Sequence, residues 1–424
     1  MKQRQNSPTL ISRRQFVYAG LALSGHASFA QLTRTNNFTS VLPAWARGDL
    51  EIHQIDTGRG NAMFLLAPDG TTMLIDCGTT RNSSDLVAPP RPNGSLQPGE
   101  WVARYAMRRA KAAGRSSLDY MIATHVHPDH VGDLPAGVEP PIDGSFVPTG
   151  LSQVDQIMPA ETVIDRSFPD YGLLPPQGAF AENYLAWLRS RARAGKRVEK
   201  LKVGSQDQIV LRSQFKGPPF SVRGLAANGQ VWTGNGEHSR SIFPNLSTVD
   251  QLDRPSENPC SIALRISYGN FSYFTGGDLN ADTHDGRQTW LDVESPATKI
   301  CGRVEVALAD HHAYFDACGP KFVDNLDARA YIIPSWHLTH PGQAQLERLV
   351  GAWPHERHHD VFLTEMLPAN RDFNSRWLKD ARSLQGHVVV RVASDGRSYR
   401  IFVLDSTQEQ CPVSFVSDVY TCRT

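Results

Sequence analysis

His125, His127, Asp129 and His130 fall within six residues of one another in a chain of 424. The segment reads Thr124-His125-Val126-His127-Pro128-Asp129-His130, and the apolar run Tyr120-Met121-Ile122-Ala123 before it has the character of a buried strand. Imidazoles two apart on an extended segment point to one side. A carboxylate and a third imidazole then follow at a turn, where they can face a neighbouring point. Neutral imidazole and carboxylate suit Zn2+ or a similar divalent cation. A chain with this segment must fold so that a strand end delivers it to a rim where distant ligands can meet it.

The N-terminus carries a different signal. Lys and Arg balance Asp and Glu at 43 each, yet Lys2, Arg4, Arg13 and Arg14 all precede the first acidic residue, Asp49. Ser12-Arg13-Arg14-Gln15-Phe16, a short apolar stretch from Val17 to Leu23, and Ser28-Phe29-Ala30 read as a twin-arginine (Tat) export signal over residues 1–30. The other reading is a basic N-terminal arm. Export predicts passage through the Tat translocase and a mildly acidic mature protein in the periplasm or outside the cell. No later stretch reaches the ~20 apolar residues of a membrane span. None of the six cysteines forms a Cys-x-x-Cys pair; in an oxidising compartment Cys411 with Cys422, and Cys301 with Cys318, could close disulfides, or the thiols could be small buried apolar groups.

Residues 31–48 read as a linker, 49–405 as the folded domain and 406–424 as a C-terminal tail. Strands are predicted at Leu50–Ile55, Ala62–Leu66 and Thr72–Ile75, with Pro68-Asp69-Gly70 as a turn. Helices are predicted at Trp101–Ala113, Asn183–Ala194 and Gln343–Trp353. Further strands are predicted at Ile209–Leu211, Phe220–Leu225, Ser261–Tyr268, Phe271–Thr275, Val304–Ala309, Ala330–Ile333, Val388–Ala393 and Tyr399–Leu404. Residues 134–180 and 228–258 read as long polar loops. Two blocks of strands with helices between them imply an α/β sandwich of two sheets with helices outside.

The later polar groups follow strand ends. Asp278 comes after Gly276-Gly277, which allow a sharp turn that presents its carboxylate. Of His311 and His312, adjacent and therefore opposed, one should face the metals and the other a neighbour. His340, before Pro341 at a helix start, could bind an anion or serve the cap. The arrangement suits two-metal hydrolysis: His125 and His127 on one cation, Asp129, His130 and His311 or His312 on the other, and Asp278 between them. Asp129 could also steer the attacking water. Asp76 and Asp119 are candidates to orient the imidazoles.

Thr124 to His130 resembles the Thr-His-x-His-x-Asp-His motif of the metallo-β-lactamase superfamily. Ile55-Asp56-Thr57-Gly58-Arg59-Gly60-Asn61-Ala62, Ala67-Pro68-Asp69-Gly70 and Leu74-Ile75-Asp76-Cys77-Gly78 are similar to the opening of its ComEC-like branch. Glu257-Asn258, Ser261, Gly277-Asp278, His311-His312 and His340-Pro341 keep the order of that branch. The resemblance implies a four-layer αββα sandwich, two metals (usually zinc), and hydrolysis of phosphodiesters or phosphorylcholine esters. The chain departs from the branch pattern at Arg59 and Asn61, where Gln and Asp are usual, and at Ala313-Tyr314, where Gly-Ser is usual. A separate histidine for the first metal has only His238 as a candidate, in a region that does not fit.

The function expected is an exported metal-dependent hydrolase, with catalytic roles at Asp129 and His340, acting on a small-molecule or cell-envelope phosphoester. A lactonase or β-lactamase-like hydrolase and a non-catalytic metal-binding module are the alternatives. Basic clusters at Arg104–Arg115 and Arg189–Lys202 leave nucleic acid possible but not favoured, because a near-neutral chain gives no general pull on phosphates. Serine-nucleophile, nucleoside-triphosphate and nicotinamide motifs are absent from the sequence.

Overall fold

Alternation along the strands assigns side chains to three separate cores. In the strand Thr72–Cys77, Leu74 joins a cluster with helix residues Val102, Ala106, Val154 and Leu188, whereas Met73 and Ile75 join another with Leu264, Ile266 and Ile332. Leu118–Ile122 divides the same way, with Met121 on the first side and Tyr120 and Ile122 on the second. Strands apolar on both faces need cover on both faces. The computed structural model, which describes residues 41–81, 84–351 and 358–423, provides it with two stacked sheets, a core between them and helices outside each.

In the first sheet the strand order is Val413–Val416, Ser398–Leu404, His387–Val392, Leu50–Gln54, Ala62–Leu66, Thr72–Cys77, Leu118–Ile122, Ala160–Asp165, Arg197–Lys200. In the second it is Ala381–Ser383, Asp360–Leu363, Ala330–Ile333, Val306–Leu308, Phe271–Thr275, Ala263–Tyr268, Phe220–Ala227, Gln230–Trp232, Ser239–Ser241. Each sheet joins an antiparallel half to a parallel half; in the first, Thr72–Cys77 pairs parallel with Leu118–Ile122. The helices Pro98–Ala110, Gly150–Ile157 and Ala179–Arg193 cover one outer face, and Glu294–Cys301, Pro320–Leu326 and Gln343–Leu349 the other. The four-layer αββα expectation holds. The parallel strands of both sheets carry the ligand-bearing loops at their C-terminal ends, so one rim collects them.

Several sequence readings change. Residues 406–423 do not form the expected tail: Val413–Val416 and Tyr420–Thr421 pair with Ser398–Leu404 and complete the sheet edge, while Thr424 lies outside the described residues. The twin-arginine segment and residues 31–40 lie outside the described residues, while Leu42 and Trp45, expected in the linker, are buried against the first sheet. The supposed loop 134–180 holds a helix, Gly150–Ile157, and a strand, Ala160–Asp165, and residues 228–258 hold the strands Gln230–Trp232 and Ser239–Ser241. Ile209–Leu211 forms no strand. The helix predicted over Gln343–Trp353 ends at Leu349, and its last two predicted residues lie outside the described ones.

The six cysteines are buried and free. Cys411 belongs to the outer core of the first sheet and Cys422 to the core between the sheets, so the sheet separates them. Cys301 lies against Arg265, whereas the Cys318 thiol donates to the Asp310 carbonyl. Neither expected disulfide forms. Among the described residues no helix is long and apolar enough to cross a membrane.

A buried ionic knot ties the first sheet to its helix. Glu51, without solvent exposure, accepts from Arg109 at 3.1 Å, from Arg391, and lies 2.8 Å from His53 Nε2. Burial would raise its pKa, but His53, Arg109 and Arg391 outweigh that and hold it at about 2, below the ordinary 4.5. The folded pKa is depressed, so the stabilisation is complete above pH 4.5 and is lost as pH falls toward 2. Glu51→Gln should lower stability by about 3–5 kcal/mol at pH 7, as seen by urea unfolding, because it leaves two guanidinium groups without their counter-charge. The variant should also show a flatter acid limb in the same titration.

Candidate metal centre

The strand Leu118–Ile122 ends in the loop that carries His125 and His127, and the short helix Pro128–Val131 presents Asp129 and His130. Close approach of the backbone sets this geometry. A Cβ on Gly78 would lie 1.7 Å from the Asp129 carbonyl, so only glycine lets the strand Thr72–Cys77 pass this turn. Asn61 N–H then donates to the Asp129 carbonyl at 2.7 Å. Gly277, at φ +58, turns the second sheet's chain so that Asp278 faces the histidines.

Two donor sets form. Asp129, His130, Asp278 and His312 make one, and His125, His127 and Asp278 the other, with the ligand atoms of each set within 4.8 Å of one another. Asp278 belongs to both. His125 Nε2 lies 3.0 Å from His127 Nδ1, His130 Nε2 lies 3.0 Å from Asp278 Oδ1, and His312 Nε2 lies 3.0 Å from Asp129 Oδ2. His130 Nε2 is buried, and its contacts with the carboxylates do not have hydrogen-bond geometry. Imidazole nitrogens converging on shared carboxylates, with a buried nitrogen aimed between them, fit a pair of divalent cations.

Partners behind the ligands fix which nitrogen faces inward. His130 Nδ1 lies 2.8 Å from Asp76 Oδ2, and His312 Nδ1 donates to the Pro334 carbonyl at 2.8 Å, which leaves both Nε2 atoms for the centre. Asp76 also accepts from the Thr124 amide and hydroxyl, each at 2.8 Å, and from Asn61 Nδ2 at 3.0 Å. Asp76 (φ 59), His311 (φ 45) and His312 (φ 55) all occupy the left-handed region, a cost that clusters here at the site.

Electrostatics agree with ligation. Burial, reinforced by neighbouring His130, holds His125 well below the usual imidazole range. Burial also lowers His127. Burial would raise Asp129 and Asp278, but the facing histidines outweigh it and hold both well below the carboxylate range. His130 is the converse: burial opposes its charge, yet Asp278, Asp129 and Asp76 hold its pKa well above the ordinary value. Its Nε2 proton is the one a cation would displace.

The remaining sequence candidates separate cleanly. His312 is in a donor set and His311 is in neither: His311 Nδ1 lies 2.6 Å from Asp316 and its Nε2 lies 3.2 Å from the Asn258 amide and 3.7 Å from Asp278. His340 stacks on His312 at 4.8 Å, buried, with Nδ1 unpartnered. It therefore lies beside the centre rather than among its ligands. Asp119 does not reach the site; its carboxylate accepts from Thr72 and faces Arg115. His238 is exposed in the Gln230–Ser241 hairpin, so the set of His125, His127 and Asp278 keeps three ligands.

Sequence reasoning missed several supports. Glu257 accepts the Val126 amide at 3.0 Å and pairs with buried Arg166, which pins the peptide between His125 and His127. Ser261 Oγ accepts the Asp278 amide at 3.1 Å, and the Trp336 indole nitrogen lies 3.4 Å from His312 Nε2. Glu257 and Ser261 were visible only as members of a motif order, and Trp336 carried no local signal.

Asp278→Ala should abolish tight binding of both cations, measured as metal content after dialysis. Asp76→Asn keeps a residue tolerant of positive φ and should weaken metal affinity by about 10–100-fold in a competition titration, with the folded spectrum retained.

Residues 55–149 match the family described as Metallo-beta-lactamase superfamily. No curated protein sequence matches the chain. A protein from Parabacteroides distasonis ATCC 8503 described as a metal-dependent hydrolase is similar at 12% identity, over 74% of this chain and 92% of that one, with a TM-score of 0.34. A single-residue mutant of the CmlA beta-hydroxylase is similar at 12% identity, over 83% and 55%, with a TM-score of 0.37. A diphosphatase from the PhnP family is similar at 9% identity, over 81% and 98%, with a TM-score of 0.32. Likenesses of this order carry no information about substrate. Residues 55–149, which hold His125, His127, Asp129 and His130, thus carry a Metallo-beta-lactamase superfamily segment inside an αββα sandwich consistent with the fold of that superfamily.

Proposed function

We propose that this protein is an exported metal-dependent hydrolase that binds two zinc ions and cleaves a phosphodiester or related phosphoester. The observation that carries the reading is the pair of donor sets joined at Asp278. Cations held there would acidify a coordinated water and polarise the scissile group.

The chain's own residues divide the remaining work. Asp76 and the Pro334 carbonyl hold His130 and His312 in the ligating tautomer. Asp129, whose Oδ2 lies 3.0 Å from His312 and 3.5 Å from His130, orients whatever oxygen nucleophile occupies the space between the sets. His311, fixed by Asp316 at Nδ1, sets its Nε2 3.7 Å from Asp278 at the edge of the centre, where it can meet a substrate oxygen. His340 packs on His312, and burial with the facing His312 keeps it well below the imidazole range, so it acts as a neutral wall of the site.

Export rests on the twin-arginine pattern of residues 12–16. The preference for a small-molecule or cell-envelope substrate over nucleic acid is supported by the pairing of basic helix residues: Arg104 with Glu409, Arg109 with Glu51 and Arg191 with Asp155.

Purified protein should carry close to two equivalents of zinc and lose turnover on exhaustive chelation. On bis(4-nitrophenyl) phosphate, a lactone and nitrocefin, only the first should be cleaved at a substantial rate. Full turnover after chelation, or preference for the lactone or nitrocefin, would overturn the assignment.

A further inference from the structure

A cleft of about 490 Å³ opens beside His127, within the size range of small-molecule sites. His127 belongs both to this cleft and to a donor set. A substrate reacting at the centre can therefore run one of its arms into the cleft without leaving the metal ligands.

The two walls differ in chemistry. Leu173, Leu174 and Phe180 make one apolar, while Gln251, Arg254 and Ser256 make the other polar. Arg254 is half-buried, and its Nε donates to the Val249 carbonyl at 3.3 Å. Among the described residues no carboxylate lies within ion-pairing distance of it. Several other withdrawn arginines near the first sheet are paired with carboxylates: Arg166 with Glu257, Arg191 with Asp155, Arg109 and Arg391 with Glu51, Arg91 with Glu365. Arg59, also half-buried, instead donates from Nε to the Ala88 carbonyl at 3.3 Å and does not line this cleft. Glu257, which shares the cleft, is committed to Arg166 and the Val126 amide and does not neutralise Arg254. A guanidinium lining a cleft without a carboxylate partner matches a carboxylate or phosphate oxygen pair. A separate groove, about 420 Å³ and bounded by Tyr314, Phe315, Leu338 and Phe373, has no charged residue in its lining.

We propose that Arg254 recognises a second anionic group, carboxylate or phosphate, on the substrate arm that occupies the His127 cleft. Arg254 is then a specificity-determining residue, and the preferred substrate is a phosphoester with a further negative charge beyond the scissile bond. The proposal rests on the phosphoester reading above and narrows it.

Three 4-nitrophenyl phosphodiesters test it, with a carboxybutyl arm, a phosphonobutyl arm, or the neutral methyl ester of the first. Wild type should favour at least one charged arm over the neutral arm by about tenfold in kcat/KM, mostly through KM. Arg254→Ala should bring that ratio near one, and Arg254→Lys should keep part of it. The charged arm that gains more identifies which anion the site takes. Calorimetry of the same esters on metal-free protein should show the same loss in Arg254→Ala. Equal kcat/KM for all three esters in wild type, a ratio unmoved by Arg254→Ala, or no binding of either charged ester to metal-free protein would each overturn the subsite. Arg254-dependent binding without cleavage of any ester would instead sink the hydrolase reading and leave the subsite standing.

Discussion

The buried carboxylate of Asp76 is the joint on which the centre depends. It sits at the end of Thr72–Cys77 and holds His130, both polar groups of Thr124 and the Asn61 amide. Those contacts stitch two strand ends and the histidine loop into one unit before any cation arrives. A buried, multiply bonded carboxylate of this kind is costly to leave half-satisfied, so the histidine loop has few other conformations open to it. The strain at its positive φ is the local cost of placing four acceptor contacts at one point.

The ligand segment was legible because it is local: strand, loop and turn bring His125, His127, Asp129 and His130 together with no help from distant parts of the chain. Choosing between His311 and His312 required tertiary structure, since both occupy left-handed backbone and the alternation of an extended strand does not apply to them. Asp76 and Asp119 looked equivalent as nearby carboxylates, but Asp119 is second in the strand Leu118–Ile122, at the end remote from His125. At about 3.3 Å per residue it stands far across the sheet from the centre.

Other misreadings share a physical origin. Proline and glycine density in residues 134–180 suggested a loop, yet the helix Gly150–Ile157 buries Leu151 and Val154 between those punctuating residues. The cysteine spacing suggested pairs, but the sheet lies between Cys411 and Cys422, and Cys301 and Cys318, which share the outer core of the second sheet, face different partners. The sandwich itself was readable from its double block of strands. Its outer helices 294–301 and 320–326 were not, because short amphipathic turns have too few residues to display a period.

The membership of Asp278 in both donor sets has a thermodynamic consequence. A cation in either set would fix this carboxylate for the other set, while two like charges placed on both sets would repel each other. Occupancy at one position would therefore change affinity at its neighbour, and the coupling would be reciprocal, with its sign set by which of these two effects is larger.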